Sequence, residues 1–159
     1  MYHLRKIQPQ DNQPLAQVIR ACFIEHQAPQ AGTVYTDPTT DDLFGLFRKE
    51  KAVLWVGETE QGIMGCCGIY PTPGLPADCA ELVKFYLAPE GRGLGLGRAL
   101  MEQCIQSARG MGYQQVYIES LPEFSCAVSI YQQQGFEALE RPLTRQGHPG
   151  CNLWYLKKL

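Results

Sequence analysis

Glu90-Gly91-Arg92-Gly93-Leu94-Gly95-Leu96-Gly97-Arg98 is the stretch on which the reading of this chain turns. Its four alternating glycines let the backbone take dihedrals closed to other residues and let a ligand approach with no Cβ in the way. Upstream, Cys79 to Leu87 reads as a strand. Downstream, Leu96, Leu100, Cys104 and Ala108 recur at every fourth residue, and Met101 and Ile105 widen the stripe. That spacing predicts a helix through about Arg109, stopped by Gly110 and Gly112. A turn between a strand and a helix start leaves N–H groups free where the helix dipole favours an anion. From Lys84 to Arg109 four cations (Lys84, Arg92, Arg98, Arg109) face two anions (Glu90, Glu102), so the window is +2 in a chain of net charge −2. A phosphate-bearing ligand is the natural reading, and a merely tight turn is the plainer one.

Working outward, Tyr2 to Ile7 reads as an opening strand, and Leu15, Val18, Ile19, Cys22 and Phe23 fall at helical spacing. Gln27 to Pro38 is expected to be loop, and Thr39 to Glu50 a short second helix. Ala52–Glu58 and Ile63–Tyr70 read as a hairpin turning near Glu60-Gln61-Gly62, with Pro71 to Pro76 a connection. After the glycine turn and its helix come a strand at Gln115–Ser120 and a helix capped by Ser125 and ending at Gly135. Strands at Phe136–Leu139 and Asn152–Leu156 close the chain, separated by a turn-rich Thr144–Gly150. This order implies an α/β chain with a mixed sheet, part of it parallel.

At 159 residues the chain fits one domain, with a 45% hydrophobic and 19% charged composition that suits a packed core rather than disorder. The small negative charge draws it to neither nucleic acid nor anionic lipid. The longest apolar run, Ala52 to Val56, is far short of a membrane span, and the opening MYHLRKIQPQ lacks the apolar stretch of a signal peptide. A cytoplasmic protein is therefore expected. Seven cysteines, two of them adjacent at Cys66–Cys67, read as reduced core thiols. His148 and Cys151 have a ligand-like spacing with no second pair beside them, so no metal is expected.

The phosphate ligand is narrowed by what the turn lacks. A Walker loop requires Gly-Lys-Ser/Thr, which is absent, and the dinucleotide fingerprint requires a different glycine spacing. By contrast, Arg92-x-x-Gly95-x-Gly97 resembles the pyrophosphate-binding motif of the Gcn5-related N-acetyltransferase (GNAT) superfamily, Gln/Arg-x-x-Gly-x-Gly/Ala at a strand-to-helix turn. The flanks carry the resemblance further, through Ala88-Pro89-Glu90 and the closing Tyr131-x-x-x-Gly135-Phe136. It covers Cys79 to Phe136, and the N-terminal half only in the order of its elements.

The resemblance implies a single acyl-CoA N-acyltransferase domain, with a mostly antiparallel sheet splayed where its parallel strands meet the coenzyme. It implies acetyl-CoA as cosubstrate, held at the pyrophosphate by the N–H groups of Arg92, Gly93, Leu94, Gly95, Leu96, Gly97 and Arg98. The strand at Phe85, Tyr86 and Leu87 would pair with the pantetheine arm. Transfer would be direct, in a ternary complex, onto a primary amine on a small molecule or a peptide, and a homodimer is left open. A non-catalytic acyl-CoA-binding sensor on the same fold is the alternative.

Acetyl transfer from a thioester to an amine needs a proton taken from the ammonium and one supplied to the departing thiolate. Tyr131 matches the superfamily tyrosine that sits near the coenzyme sulfur; its plainer reading is a ring packed beside Ala127 and Ile130. Glu81 stands 11 residues before Arg92, the spacing at which histone-type members place a catalytic glutamate. Apolar Val83, Phe85 and Leu87 on alternate positions suggest a partly buried carboxylate with a raised pKa. Glu119 on the neighbouring strand, or a water, stands in reserve as the base. Cys79 and Cys126 lack a histidine neighbour in sequence and read as core. The acceptor is expected between Gln27–Glu50, with Tyr35, Asp37, Asp41 and Asp42, and the late loop, with Arg141, Arg145 and His148. Acids there suit an amine and cations a carboxylate, so an amino-acid-like or small metabolite amine is expected.

Overall fold

In chain order the elements are β1 (Tyr2–Lys6), α1 (Asn12–Glu25), α2 (Leu43–Leu46), β2 (Val53–Thr59), β3 (Gly62–Tyr70) and β4 (Cys79–Leu87). They continue with α3 (Leu96–Gly110), β5 (Gln115–Ser120), α4 (Ser125–Gln133), β6 (Glu137–Leu139) and β7 (Leu153–Lys158). The computed structural model describes Met1–Leu159. All seven strands join one sheet in the order β1-β2-β3-β4-β5-β7-β6. Every neighbouring pair is antiparallel except β4 and β5. The architecture is the mixed, mostly antiparallel sheet expected from the sequence. No helix is long and apolar enough to cross a membrane.

Each face of the sheet is covered by a helix whose apolar stripe the sequence already displays. On one face α1 buries Leu15, Ala16, Ile19, Cys22 and Phe23 against Leu54, Val56 and Cys66. On the other, α3 buries Leu96, Leu100, Met101, Cys104, Ile105 and Ala108 against Met64, Cys67, Ile69 and Leu82. Tyr131 of α4 joins this second layer. Gly57 of β2 makes room for the first residue of α3, since a Cβ there would lie 2.6 Å from Leu96 Cδ1.

Two local expectations are corrected. Thr39–Glu50 is not one helix: a single 3-10 turn at Pro38–Asp41 is followed by the short α2. Asp42, at φ −138° and ψ 62°, breaks the run and caps α2 by accepting from the Gly45 N–H. Ser125 is the first residue of α4 rather than its cap; Phe124 holds the cap position and no side chain caps the helix.

The feature that positions the site is an irregularity in β4. Cys66 lies opposite Tyr86 and Gly68 opposite Val83, so Cys67 alone faces the two residues Lys84 and Phe85. This is a β-bulge, with Lys84 at φ +57° and its carbonyl accepting from the Cys66 thiol at 3.0 Å. An extra residue reverses the alternation of side chains beyond it. Val83 and Tyr86 therefore pack on the α1 layer, whereas Phe85 and Leu87 pack on the α3 layer. The expectation that Val83, Phe85 and Leu87 share a face with Glu81 fails at this bulge.

Candidate active site

β4 and β5 are paired only from Cys79 to Glu81, opposite Gln115 to Tyr117. Beyond that point the strands part, and β4 presents an unpaired edge from Leu82 to Leu87. Glu81 stands at the last pair, where the cleft begins.

Along one arm of the cleft lies a cavity of about 330 Å³, lined by Phe85, Tyr86 and Leu87 of β4, the glycine turn, and Phe124, Ala127 and Ile130. The turn residues Arg92, Gly93, Gly95, Leu96, Gly97 and Arg98 all border it, while the Leu94 side chain is exposed to solvent away from it. Gly93 and Gly95 adopt φ +74° and +81°, the left-handed region that glycine enters without steric penalty. In consequence the six consecutive N–H groups from Gly93 to Arg98 donate to no acceptor within the protein. A left-handed turn feeding a helix N-terminus is a nest for an anion.

The arginines are committed differently from the sequence expectation. Arg92 makes a two-pronged ion pair with Glu25 at the end of α1, at 2.6 and 2.7 Å, and also donates to the Leu87 carbonyl at 3.0 Å. It ties the turn to α1 and to the end of β4. Arg98 pairs with Glu102 one helical turn on. The two arginines that sequence counting assigned to the ligand are therefore each matched inside the protein, and the unengaged backbone amides of the turn are the donors left bordering the cavity.

A second, smaller chamber of about 50 Å³ adjoins the first across Phe85, Tyr86, Phe124 and Ala127. It is lined by Glu81, Lys84, Glu119, Ser120, Tyr131 and His148, among others. Glu81 is only 5% exposed and accepts from the Thr72 hydroxyl at 2.6 Å. Burial pushes its carboxyl up, and despite the Thr72 hydrogen bond and nearby Lys84 it stands at about 7, with Glu119 adding to the rise. A carboxyl poised there exchanges protons near neutrality.

Glu119 is held by the Tyr117 hydroxyl at 2.8 Å and the His148 N–H at 3.0 Å. His148 Nε2 meets Asp37 Oδ2 at 2.9 Å, so the late loop and the segment after α1 close over the chamber together. Burial works against the Asp37 charge, but hydrogen bonds from Thr39 and His148 hold it at about 2. The loop is pinned further by Thr144 to the Pro73 carbonyl and by Gly150 N–H to the Gly32 carbonyl.

Tyr131 is 4% exposed, with its ring against Phe85, Phe136 and Tyr155 at centroid distances of 6.1, 6.2 and 5.7 Å. Burial raises its phenol well above the ordinary value, so the group stays protonated, while the neighbouring Ser120 works the other way. It both packs and borders the chamber.

The remaining sequence candidates separate. Cys79 is buried, its thiol pushed up to about 11 by burial, but Cys126 is exposed and borders the larger cavity instead of the core. Arg141 and Arg145 are exposed and border neither cavity. Asp41 is taken by Arg20, Asp42 caps α2, and Tyr35 packs edge-on against Phe23. Four residues escaped the sequence reading. His26 and Phe124, whose rings lie tilted against each other at 5.5 Å, and Cys22 line the larger cavity, and Lys84 lines the smaller one. Only Lys84 carried a signal, as the one charged residue inside the run from Leu82 to Leu87.

Residues 19–136 match the model of the Acetyltransferase (GNAT) family. The chain is 32% identical over 157 residues to the Escherichia coli (strain K12) protein "Uncharacterized N-acetyltransferase YjgM", covering 98% of this chain and 94% of that one. In fold it is similar to a GNAT-family acetyltransferase from Staphylococcus aureus Mu50, with a TM-score of 0.87 at 15% identity and 99% of each chain covered. It is similar also to a phosphinothricin acetyltransferase from Sinorhizobium meliloti solved in complex with AcCoA, with a TM-score of 0.77 at 17% identity over 99% of this chain and 88% of that one.

Proposed function

This chain belongs to the acetyltransferase (GNAT) family, and from that premise we propose that it transfers an acetyl group from acetyl-CoA directly to a primary amine in a ternary complex. The observation that carries the proposal is the row of six unengaged amides from Gly93 to Arg98 at the start of α3, opening on a cavity that leads to Glu81. The amides hold the coenzyme pyrophosphate, and the unpaired edge of β4 at Phe85 to Leu87 accompanies the pantetheine arm. The thioester then lies where the two chambers meet, between Phe85 and Tyr86 on β4 and Phe124 and Ala127 opposite.

Chemistry follows from what borders the smaller chamber. Glu81 takes a proton from the ammonium of the acceptor, directly or through a water, and the freed amine attacks the thioester carbonyl carbon. The C–S bond breaks as the tetrahedral intermediate collapses; the Tyr131 phenol gives the departing thiolate a proton, and the second proton of the amine, released from nitrogen as the amide forms, replaces it on Tyr131. Glu119, engaged by Tyr117 and His148, serves to hold the roof rather than as the base. No side chain needs to carry the acetyl group covalently. The whole chain forms a single such domain.

Calorimetric titration of the purified protein with acetyl-CoA, with ATP and NAD as controls, tests the coenzyme site. Screening amines for CoA release then tests turnover. Selective binding of acetyl-CoA followed by amine-dependent release is the expected result. Binding without release for any amine would make the protein an acyl-CoA sensor, and no binding by folded protein would overturn the proposal.

A further inference from the structure

Every carboxylate of the smaller chamber and its roof has a donor within the protein. Thr72 serves Glu81, Tyr117 and His148 serve Glu119, and Thr39 and His148 serve Asp37. Lys84 is the exception. It is 6% exposed and borders the chamber, yet its ammonium forms no ion pair within 4.0 Å and donates no hydrogen bond to the protein. The protein claims none of its three N–H bonds, and Nζ is not sealed off, Glu123 Oε2 being the one fully buried side-chain atom without a partner. The ammonium is therefore open to an acceptor in the chamber. Burial lowers its pKa, while Asp37 and Glu81 nearby work the other way and favour the charged form.

The bulge is what brings this side chain to the site. With regular alternation the residue at 84 would face the α3 layer with Ala80 and Leu82; instead it borders the chamber with Glu81 and Cys151, and the charges that act on it are those of Asp37, Glu81, Cys66 and Cys151. Glu81 and Lys84 thus approach one chamber from the same strand, three residues apart, an acid and a base with no bond between them. An acceptor bearing only an amine would satisfy Glu81 and add a second cation beside Lys84. A zwitterion would give each group its partner and leave the chamber's net charge unchanged.

We infer, on the acetyltransferase reading above, that Lys84 binds a carboxylate on the acceptor, so that the substrate is a free amino acid whose amine faces Glu81. The placement disfavours an internal peptide lysine or a protein N-terminus, whose reacting amine has no α-carboxylate beside it. Lys84 determines specificity in this scheme and is outside the proton transfers.

The test compares acceptors matched in everything but the carboxylate. Each of the L-amino acids of the protein alphabet is assayed beside its carboxamide, and peptides with the same N-terminal residues are included, with CoA release as the readout. The wild-type protein should use at least one amino acid with kcat/KM roughly tenfold to a hundredfold above its amide, the range for a charge-assisted hydrogen bond. Lys84→Met should remove that preference by lowering the amino-acid rate while the amide rate and the acetyl-CoA affinity stay within about threefold. Equal use of acids and amides, preference for peptides, or no turnover of any amino acid while acetyl-CoA binds would overturn the assignment of Lys84 and leave the acetyltransferase reading standing. An equal loss for both members of each pair in Lys84→Met would do the same. Absence of acetyl-CoA binding by the wild-type protein would remove both. The wild-type comparison needs no variant, so a misfolded Lys84→Met cannot shield the inference.

Discussion

Replacing Glu81 by glutamine should make the protein more stable at alkaline pH and slower as an enzyme, with the stability gain growing across a defined pH window. The Glu81 carboxyl, ordinarily at 4.5, is raised to about 7 in the folded protein, burial being the largest cause. A group whose pKa is raised on folding favours the folded state while it is protonated. Its contribution is complete below about 4.5 and is lost as the pH rises through about 7. The difference of about 2.5 pKa units, at 1.36 kcal/mol each, corresponds to roughly 3 kcal/mol. Glutamine keeps the shape and the carbonyl that accepts from Thr72, and it does not titrate. Urea denaturation of both proteins without ligand, at intervals from pH 4.5 to 8.5, should therefore give curves that converge at the acid end. They should separate by roughly 3 kcal/mol at the alkaline end, or about 6–12 °C in Tm for a chain of this size. In the wild type kcat/KM should rise with a limb near pH 7 that Glu81→Gln lacks. A stability gap that does not change with pH would refute the buried, proton-holding carboxyl, and an unchanged activity limb would refute its role as base.

Three further outcomes are expected. Gly95→Leu forces a side chain onto a residue at φ +81° in the anion-binding turn; it should weaken acetyl-CoA by at least about a hundredfold, as for two lost charge-assisted amide bonds, and calorimetry showing unchanged affinity would remove the turn from the site. Tyr131→Phe should lower kcat by roughly tenfold to a hundredfold with acetyl-CoA affinity within about twofold, whereas full activity would leave Tyr131 as a packing residue. Gly147→Val places its Cβ against the Glu119 carboxylate and should disturb the roof, raising the acceptor KM by about tenfold while acetyl-CoA affinity holds. A wild-type KM in that variant would show that the late loop does not shape the acceptor chamber.

Much of this fold was legible because it rests on local rules. The apolar stripes of α1 and α3 are visible at helical spacing, and both helices bury the residues those stripes name. The hairpin of β2 and β3 turns at Glu60-Gln61 with Gly62 at φ +116°, where the sequence placed it. Short, weakly patterned segments were less legible. Thr39–Glu50 carries a helical stripe, but Asp42 caps a new start inside it, and only packing decides which start is used.

Within the candidate site, residue type and order pointed to the glycine turn, and the family resemblance to Glu81 and Tyr131; the turn borders the larger cavity and the two side chains the smaller one. Burial and partners were beyond the sequence. Arg92 reads as a ligand cation in sequence, and Glu25, 67 residues away, turns it into a latch. Arg141 and Arg145 read as candidates for an anion, and the tertiary structure leaves them in solvent and brings in Lys84 instead. The sequence by itself determined the family, the order of elements and the turn, because these depend on neighbours a few residues apart. Where β4 and β5 part, which way β4 faces beyond Lys84, and which charges are already matched were decided only by the assembled sheet. Each depends on the register between distant strands, and a single extra residue in one strand reverses every side chain that follows.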